Sequence, residues 1–324
     1  MNAIRQKTRN PVWTVAIIAT ISIIVIVSII LSNIPAYADA VDLYWIGGTG
    51  NWNDTAHWAT DAGGGGAGHA VPTSTNKVIF GASSDTGAGF TVTINAVAAT
   101  ADWDSSGVDQ VMTIAGSSGL TVYGALTFKS DHVRTFTGTL GFAATSGTKN
   151  LTFAGITMAS AITFNGAGGT WQLQDTLNNG SSTITLTNGT LDINGQTVTS
   201  GNVANGAGTS TLTLGAATWN CSGSWNLSAA TTTLTANTST LIFTGASTQF
   251  TGGAKITYNT VQFNGSGNVA VLDANTFVNV TRTGTAVTTD HIIFSAAQTI
   301  SGTFTLTGNS VANRLSCESN TTAA

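Results

Sequence analysis

The sequence predicts an all-β chain wound as a right-handed parallel β-helix, or β-solenoid, preceded by one N-terminal hydrophobic helix. Three observations carry this reading: apolar-x-apolar runs spaced by threonine, Asn, Gly or Ser breakers after each run, and a charged fraction of only 7% in 324 residues. Soluble proteins ordinarily carry about 25% charge, and disordered chains pair low hydrophobicity with high net charge. Here the hydrophobic fraction is 42% and the formal net charge −4, so material for a core is present and charge to keep the chain unfolded is not. Repeats of a β-sandwich are the structural alternative.

The first element is residues 1–40, read as a signal peptide or a transmembrane anchor. Arg5, Lys7 and Arg9 precede an apolar run from Val12 to Leu31, long enough at ~1.5 Å per residue to span a hydrocarbon core of ~30 Å. Basic residues before the run place the N-terminus in the cytoplasm and the remainder outside. The run exceeds the ~7–15 residues of a signal-peptide core, yet Ala36-Tyr37-Ala38 and Ala38-Asp39-Ala40 both have the small-x-small pattern of a cleavage site. Either way the remainder is exported, with the membrane met through residues 12–34 if the segment is retained.

The second element, residues 41–80, is a Trp- and Gly-rich cap with the first strands. It contains Tyr44-Trp-Ile-Gly-Gly-Thr-Gly-Asn-Trp-Asn-Asp-Thr-Ala-His-Trp58, the glycines Gly63 to Gly66, and Val71-Pro-Thr-Ser-Thr-Asn-Lys-Val-Ile-Phe80. A solenoid's first coil would otherwise expose its core, and bulky rings can plug it. The binding alternative is a sugar platform, with Trp45, Trp52 and Trp58 stacking on pyranose rings and Asp54, His57 and Asp61 supplying hydrogen bonds. The alternation of these tryptophans with glycine favours the plug.

The third element, residues 81–324, is the body of β-solenoid repeats. Thr91-Val-Thr-Ile94, Ile162-Thr-Phe164, Leu212-Thr-Leu214 and Val261-Gln-Phe263 show the period-2 pattern of strands with one buried face. Asn165-Gly166, Asn188-Gly189, Asn194-Gly195 and Asn264-Gly265 are compatible with hairpins or with solenoid corners. Near-copies such as Ile162-Thr-Phe-Asn-Gly-Ala-Gly168 and Val261-Gln-Phe-Asn-Gly-Ser-Gly267 favour corners. Proline is absent after Pro72, as a fully paired ladder requires. Like side chains stacked coil upon coil repel if charged, which accounts for the scarcity of charge.

Chemistry is thin. After residue 40 the basic residues are Lys77, Lys129, Arg134, Lys149, Lys255, Arg282 and Arg314, outnumbered by acids; no basic stripe can form, which excludes nucleic acid as a partner. Glu318 is the only glutamate, so a carbohydrate-active enzyme would need an aspartate pair, and Asp102 and Asp104 flanking Trp103 are the best local one. A turn or solvated edge explains them equally. Asp131-His132 and Asp290-His291 set imidazole beside carboxylate, but sequence neighbours point apart on a strand. Four histidines without zinc spacing and no Gly-Gly-x-Gly-x-Asp repeat imply no metal and no cofactor. Cys221 and Cys317 read as buried small hydrophobes rather than a disulfide.

The YWIGGTGNWNDTAHW stretch and VPTSTNKVIF resemble the opening of uncharacterised Thr/Gly-rich β-solenoid repeat proteins found in bacterial surface sequences and in phage or metagenomic contigs. Gly168-Gly-Thr-Trp-Gln-Leu-Gln174, Leu186-Thr-Asn-Gly-Thr-Leu-Asp-Ile-Asn-Gly195 and Gly308-Asn-Ser-Val-Ala-Asn-Arg-Leu315 are similar to that group's later segments. The resemblance implies a solenoid exposed on a cell or virion surface, structural or adhesive, with no catalytic residues to carry over. The partners it implies are a surface glycan or another solenoid chain, and an oligomer is compatible with it. Proteins of this group continue past the Asn313-Arg-Leu315 segment, which implies that this chain is shortened or that a partner covers its end.

Overall fold

A computed structural model describes residues 40–229, 231–253 and 256–320. The hydrophobic helix expected within residues 1–40 lies outside them; among the described residues no helix is long and apolar enough to cross a membrane. Ala40–Ala324 forms one compact unit. It is all-β and wound as a β-solenoid of about 11 turns, so the sandwich alternative is set aside. The cap segment belongs to the same column, because its rings join one core running from Leu43 to Ile292.

Each coil contributes short strands to three faces. The first begins Leu43–Trp45, Val78–Ile79, Trp103–Asp104 and Leu126–Thr127, paired parallel in that order. The second begins Gly50–Asn51, Phe90–Ile94 and Met112–Gly116, and resumes from Leu177–Asn178 through Thr197–Ser200, Thr218–Cys221 and Thr240–Phe243. The third runs from Ala98–Thr100 through Leu120–Val122 and Leu140–Phe142 to Leu315–Ser319. The strands Ile162–Leu173 and Ile184–Asp192 turn a corner unbroken and serve both the third and the first face. Pairings such as Leu126↔Leu151 and Val261↔Val280 show that a coil takes between 19 and 25 residues from Val78 onward, while the first coil, Leu43 to Val78, takes 35.

Alternation along each strand decides what the column buries. On the third face Leu120, Leu140, Ile162, Ile184, Val203, Trp225, Phe250 and Val271 lie one above another, and each is buried. Removing such a side chain from water contributes about 1.5–3 kcal/mol. The intervening residues face outward, where Thr148, Thr170, Thr190, Thr211 and Thr233 form an in-register ladder on the first face. Asn194 and Gly195 both have positive φ, 53° and 71°. They turn the chain between parallel strands, so this Asn-Gly pair is a corner and not a hairpin.

Two features depart from the regular stack. Trp58–Ala59 pairs antiparallel with Leu43–Trp45, setting Trp45 opposite Trp58. On the second face, the inward position above Phe243 and Phe263 is filled by Arg282. Arg282 and Asp290 are both 0% exposed and 3.5 Å apart. The guanidinium donates to the carbonyls of Phe263, Gly265, Gly267 and Thr283 at 2.7–3.1 Å. The carboxylate accepts from the backbone N–H of Gly267 at 2.6 Å and of Thr285.

Candidate functional site

The first candidate is the tryptophan cap. Trp45, Trp52 and Trp58 are 0%, 1% and 0% exposed, so none has a solvent-facing ring on which a sugar could stack. Trp58 meets Trp45 edge-on at 5.0 Å and Trp52 at 4.8 Å, while Trp52 lies parallel to Trp103 at 5.7 Å. The Trp58 indole N–H donates to the Trp52 carbonyl at 2.8 Å. This is a plug of edge-to-face rings, held because such contacts add about 0.5–1.5 kcal/mol each beyond burial.

The polar residues nearby are taken up in turns. Asp54 is exposed, and its carboxylate accepts from the Ala56 N–H at 3.0 Å at the start of the short 3₁₀ turn Thr55–His57. His57, half-buried, lies flat on Trp45 at 4.5 Å and donates from Nδ1 to the Ile46 carbonyl at 2.7 Å. Asp61 accepts from the N–H groups of Gly63 and Gly65 at 2.8 and 2.9 Å, which shapes the glycine loop. The predicted set is thus brought together, but around a filled interior.

The second candidate was not foreseen. Ala167–Thr170, Asn188–Thr190, Thr209 and Thr211 line a shallow groove of about 390 Å³ at the corner between the third and first faces. Two glycine-rich corners in successive coils leave it concave. Gly189 has φ +88°, and a Cβ there would lie 2.4 Å from the Gly166 carbonyl and 2.9 Å from the Trp171 ring, so the site tolerates no side chain. The Asn188 amide donates to Asn165 at 2.8 Å, continuing the rung pattern beside the threonine ladder. Hydroxyls and amides at coil spacing, without charge, can exchange hydrogen bonds with a neutral polyhydroxylated ligand. The pairing of Gly168-Gly169 with Asn188-Gly189 one coil later was the available sequence signal.

The aspartates weighed for catalysis hold backbone. Asp102 accepts from the Ala125 N–H at 2.6 Å. Asp104 accepts from the Ser106 hydroxyl at 2.7 Å and pairs with Lys77 at 3.2 Å. Burial opposes its charge, but these partners outweigh it and hold the carboxyl below its ordinary range. Asp290 and His291 do point apart, Asp290 to Arg282 and His291 to Glu318 at 2.6 Å. Asp131 pairs with Lys129 at 3.7 Å, while His132 turns inward, 6% exposed.

His132 Nδ1 takes the Lys129 N–H and contacts the Ser105 hydroxyl, leaving Nε2 without a partner. Burial pushes its pKa down to about 4. The unfolded chain then takes up a proton near pH 6.5 that the folded chain refuses, so stability falls as pH drops from about 6.5 to about 4, by about 3 kcal/mol. Urea melts at pH 7 and pH 4.5 should show most of this loss, and His132→Phe should remove most of what they show.

Cys221 is buried, and burial pushes its thiol up to about 12. Cys317, expected to be buried, is exposed, because its strand is the outermost described on its face. Both cysteines are free. Among the described residues no three His, Cys, Asp or Glu side chains are grouped to hold a metal ion.

No protein family, curated protein or solved structure matches the chain.

Proposed function

We propose that this chain is a non-enzymatic structural or adhesive element of a cell or virion surface, exported by its N-terminal segment and binding neutral glycan along its threonine-rich side. The single observation that carries the reading is the threonine ladder running into the glycine-floored groove at Thr170, Thr190 and Thr211. Hydroxyl rungs on a rigid sheet meet a sugar without reorganising, which lowers the entropic cost of binding. The winding is taken as right-handed, since parallel crossovers are so in ~98% of cases. Residues 12–34 either anchor the chain or are cleaved, and the column is displayed outside in both cases.

A glycan array probed with the full chain tests the proposal. Binding to neutral glycans should fall at least about tenfold in Thr190→Arg, a loss of ~1.4 kcal/mol, with the far-ultraviolet circular dichroism unchanged. Binding indifferent to Thr190→Arg would remove the groove from the reading. Depolymerisation of a polysaccharide, abolished by Asp102→Asn or Asp104→Asn, would replace it with a carbohydrate-active β-helix enzyme.

A further inference from the structure

The two ends of the described column are finished differently. The N-terminal end is filled by tryptophans and crossed by the antiparallel strand Trp58–Ala59. At the other end Phe304 and Leu306 are 39% and 42% exposed, although their registers over Val280 and Arg282 make them inward positions. Cys317 stacks over the fully buried Ile292 and is exposed too.

The edge strand of this end, Leu315–Ser319, pairs on one side with Asp290–Phe294. The Asp290 N–H donates to the Arg314 carbonyl and the Asn320 N–H to the Phe294 carbonyl, so even-numbered residues turn their backbone groups toward that inner neighbour. Alternation turns those of Leu315 and Cys317 to the other edge, where no strand pairs among the described residues.

We propose that this edge docks on the same edge of a second copy of the chain, antiparallel, about a two-fold axis through Ser316. Antiparallel pairing through backbone groups must match odd residues with odd ones, which allows centres only on a residue. Centring on Ser316 sets Leu315 against the partner's Cys317 and Cys317 against the partner's Leu315, each pair exchanging two hydrogen bonds. The same centre sets Arg314 against the partner's Glu318, twice over. Centres on Leu315 or Cys317 would oppose Arg314 to serine or asparagine. Glu318 is already steadied by His291 at 2.6 Å, and a two-fold contact of this kind closes on itself. Head-to-tail stacking is disfavoured because the opposite end is plugged.

The test uses the full chain in mild detergent, with molar mass followed by light scattering over a dilution series. A dimer is expected, weakened about tenfold by Glu318→Arg and likewise by Arg314→Glu, since either change sets like charges against each other at both rim positions. The double variant Arg314→Glu/Glu318→Arg should restore the wild-type affinity. A short bismaleimide should join Cys317 to the partner's Cys317, because diagonal residues lie ~7–8 Å apart, and Cys317→Ser should abolish the product. A monomer at every concentration overturns the proposal. So does a dimer indifferent to the charge exchange, as association through the apolar leader would be. Glycan binding is read separately, so neither reading fails with the other.

Discussion

Replacing Asp290 by alanine is expected to destabilise the folded chain by about 3–5 kcal/mol, the cost of leaving a buried charge without its partner. Arg282 is buried in a ladder whose lower members are Phe243 and Phe263, and its charge is tolerated only because a carboxylate and four carbonyls surround it. Burial works against ionisation of Asp290, but N–H donors from Thr285 and Gly267 and the neighbouring guanidinium prevail and hold its carboxyl below the usual range. A carboxyl lowered on folding contributes stability that is full above its unfolded pKa and lost as pH falls through its folded one. Guanidinium melts of wild type and Asp290→Ala should therefore differ widely at pH 7 and converge in acid. The loss should appear first in the last coils, because solenoid stability is summed between neighbours. Asp290→Asn, which keeps the acceptor oxygen, should cost less.

Trp58→Ala is expected to cost about 3–5 kcal/mol, the range for emptying a large aromatic from a packed core. Trp58 is 0% exposed and touches Trp45, Trp52 and Phe80, and its indole also holds the Trp52 carbonyl. Neighbouring rings cannot close such a void, since the strands carrying them are fixed by coil register. Hydrogen exchange should show the amides of Leu43–Trp45 and Val78–Ile79 opening earliest, with coils beyond Leu126 little changed. Protection lost uniformly along the chain would show instead that the cap governs the entire column.

Much of the column was legible because its signals are local. Period-2 runs such as Ile162-Thr-Phe164 reveal a strand and its buried side, and the tryptophan spacing of residues 45, 52 and 58 reveals a plug. What escaped reading depends on which residue lies one coil away. Arg282 looks like a surface charge until its register over Phe263 is known. Asp290 reads as a neighbour of His291, yet its partner is eight residues earlier in sequence and across the interior. The groove needs Gly168-Gly169 beneath Gly189, which follows only from the pairing of Ile162–Leu173 with Ile184–Asp192. Cys317 was expected to be buried on the frequency of its residue type; its exposure reflects its place on an outermost strand.

The central claim is that, from Val78 onward, successive segments of 19 to 25 residues stack in parallel register, and spin-label distances test it most directly. Labels at Ala99 paired in turn with Thr185, Asn226 and Thr251, in a Cys317→Ser background, sit on one outward ladder of the third face. At ~4.8 Å per coil, the separations should lengthen steadily to ~19, ~29 and ~34 Å. A distance to Thr251 equal to or shorter than that to Thr185 would mean that the chain folds back on itself, and would contradict the stack.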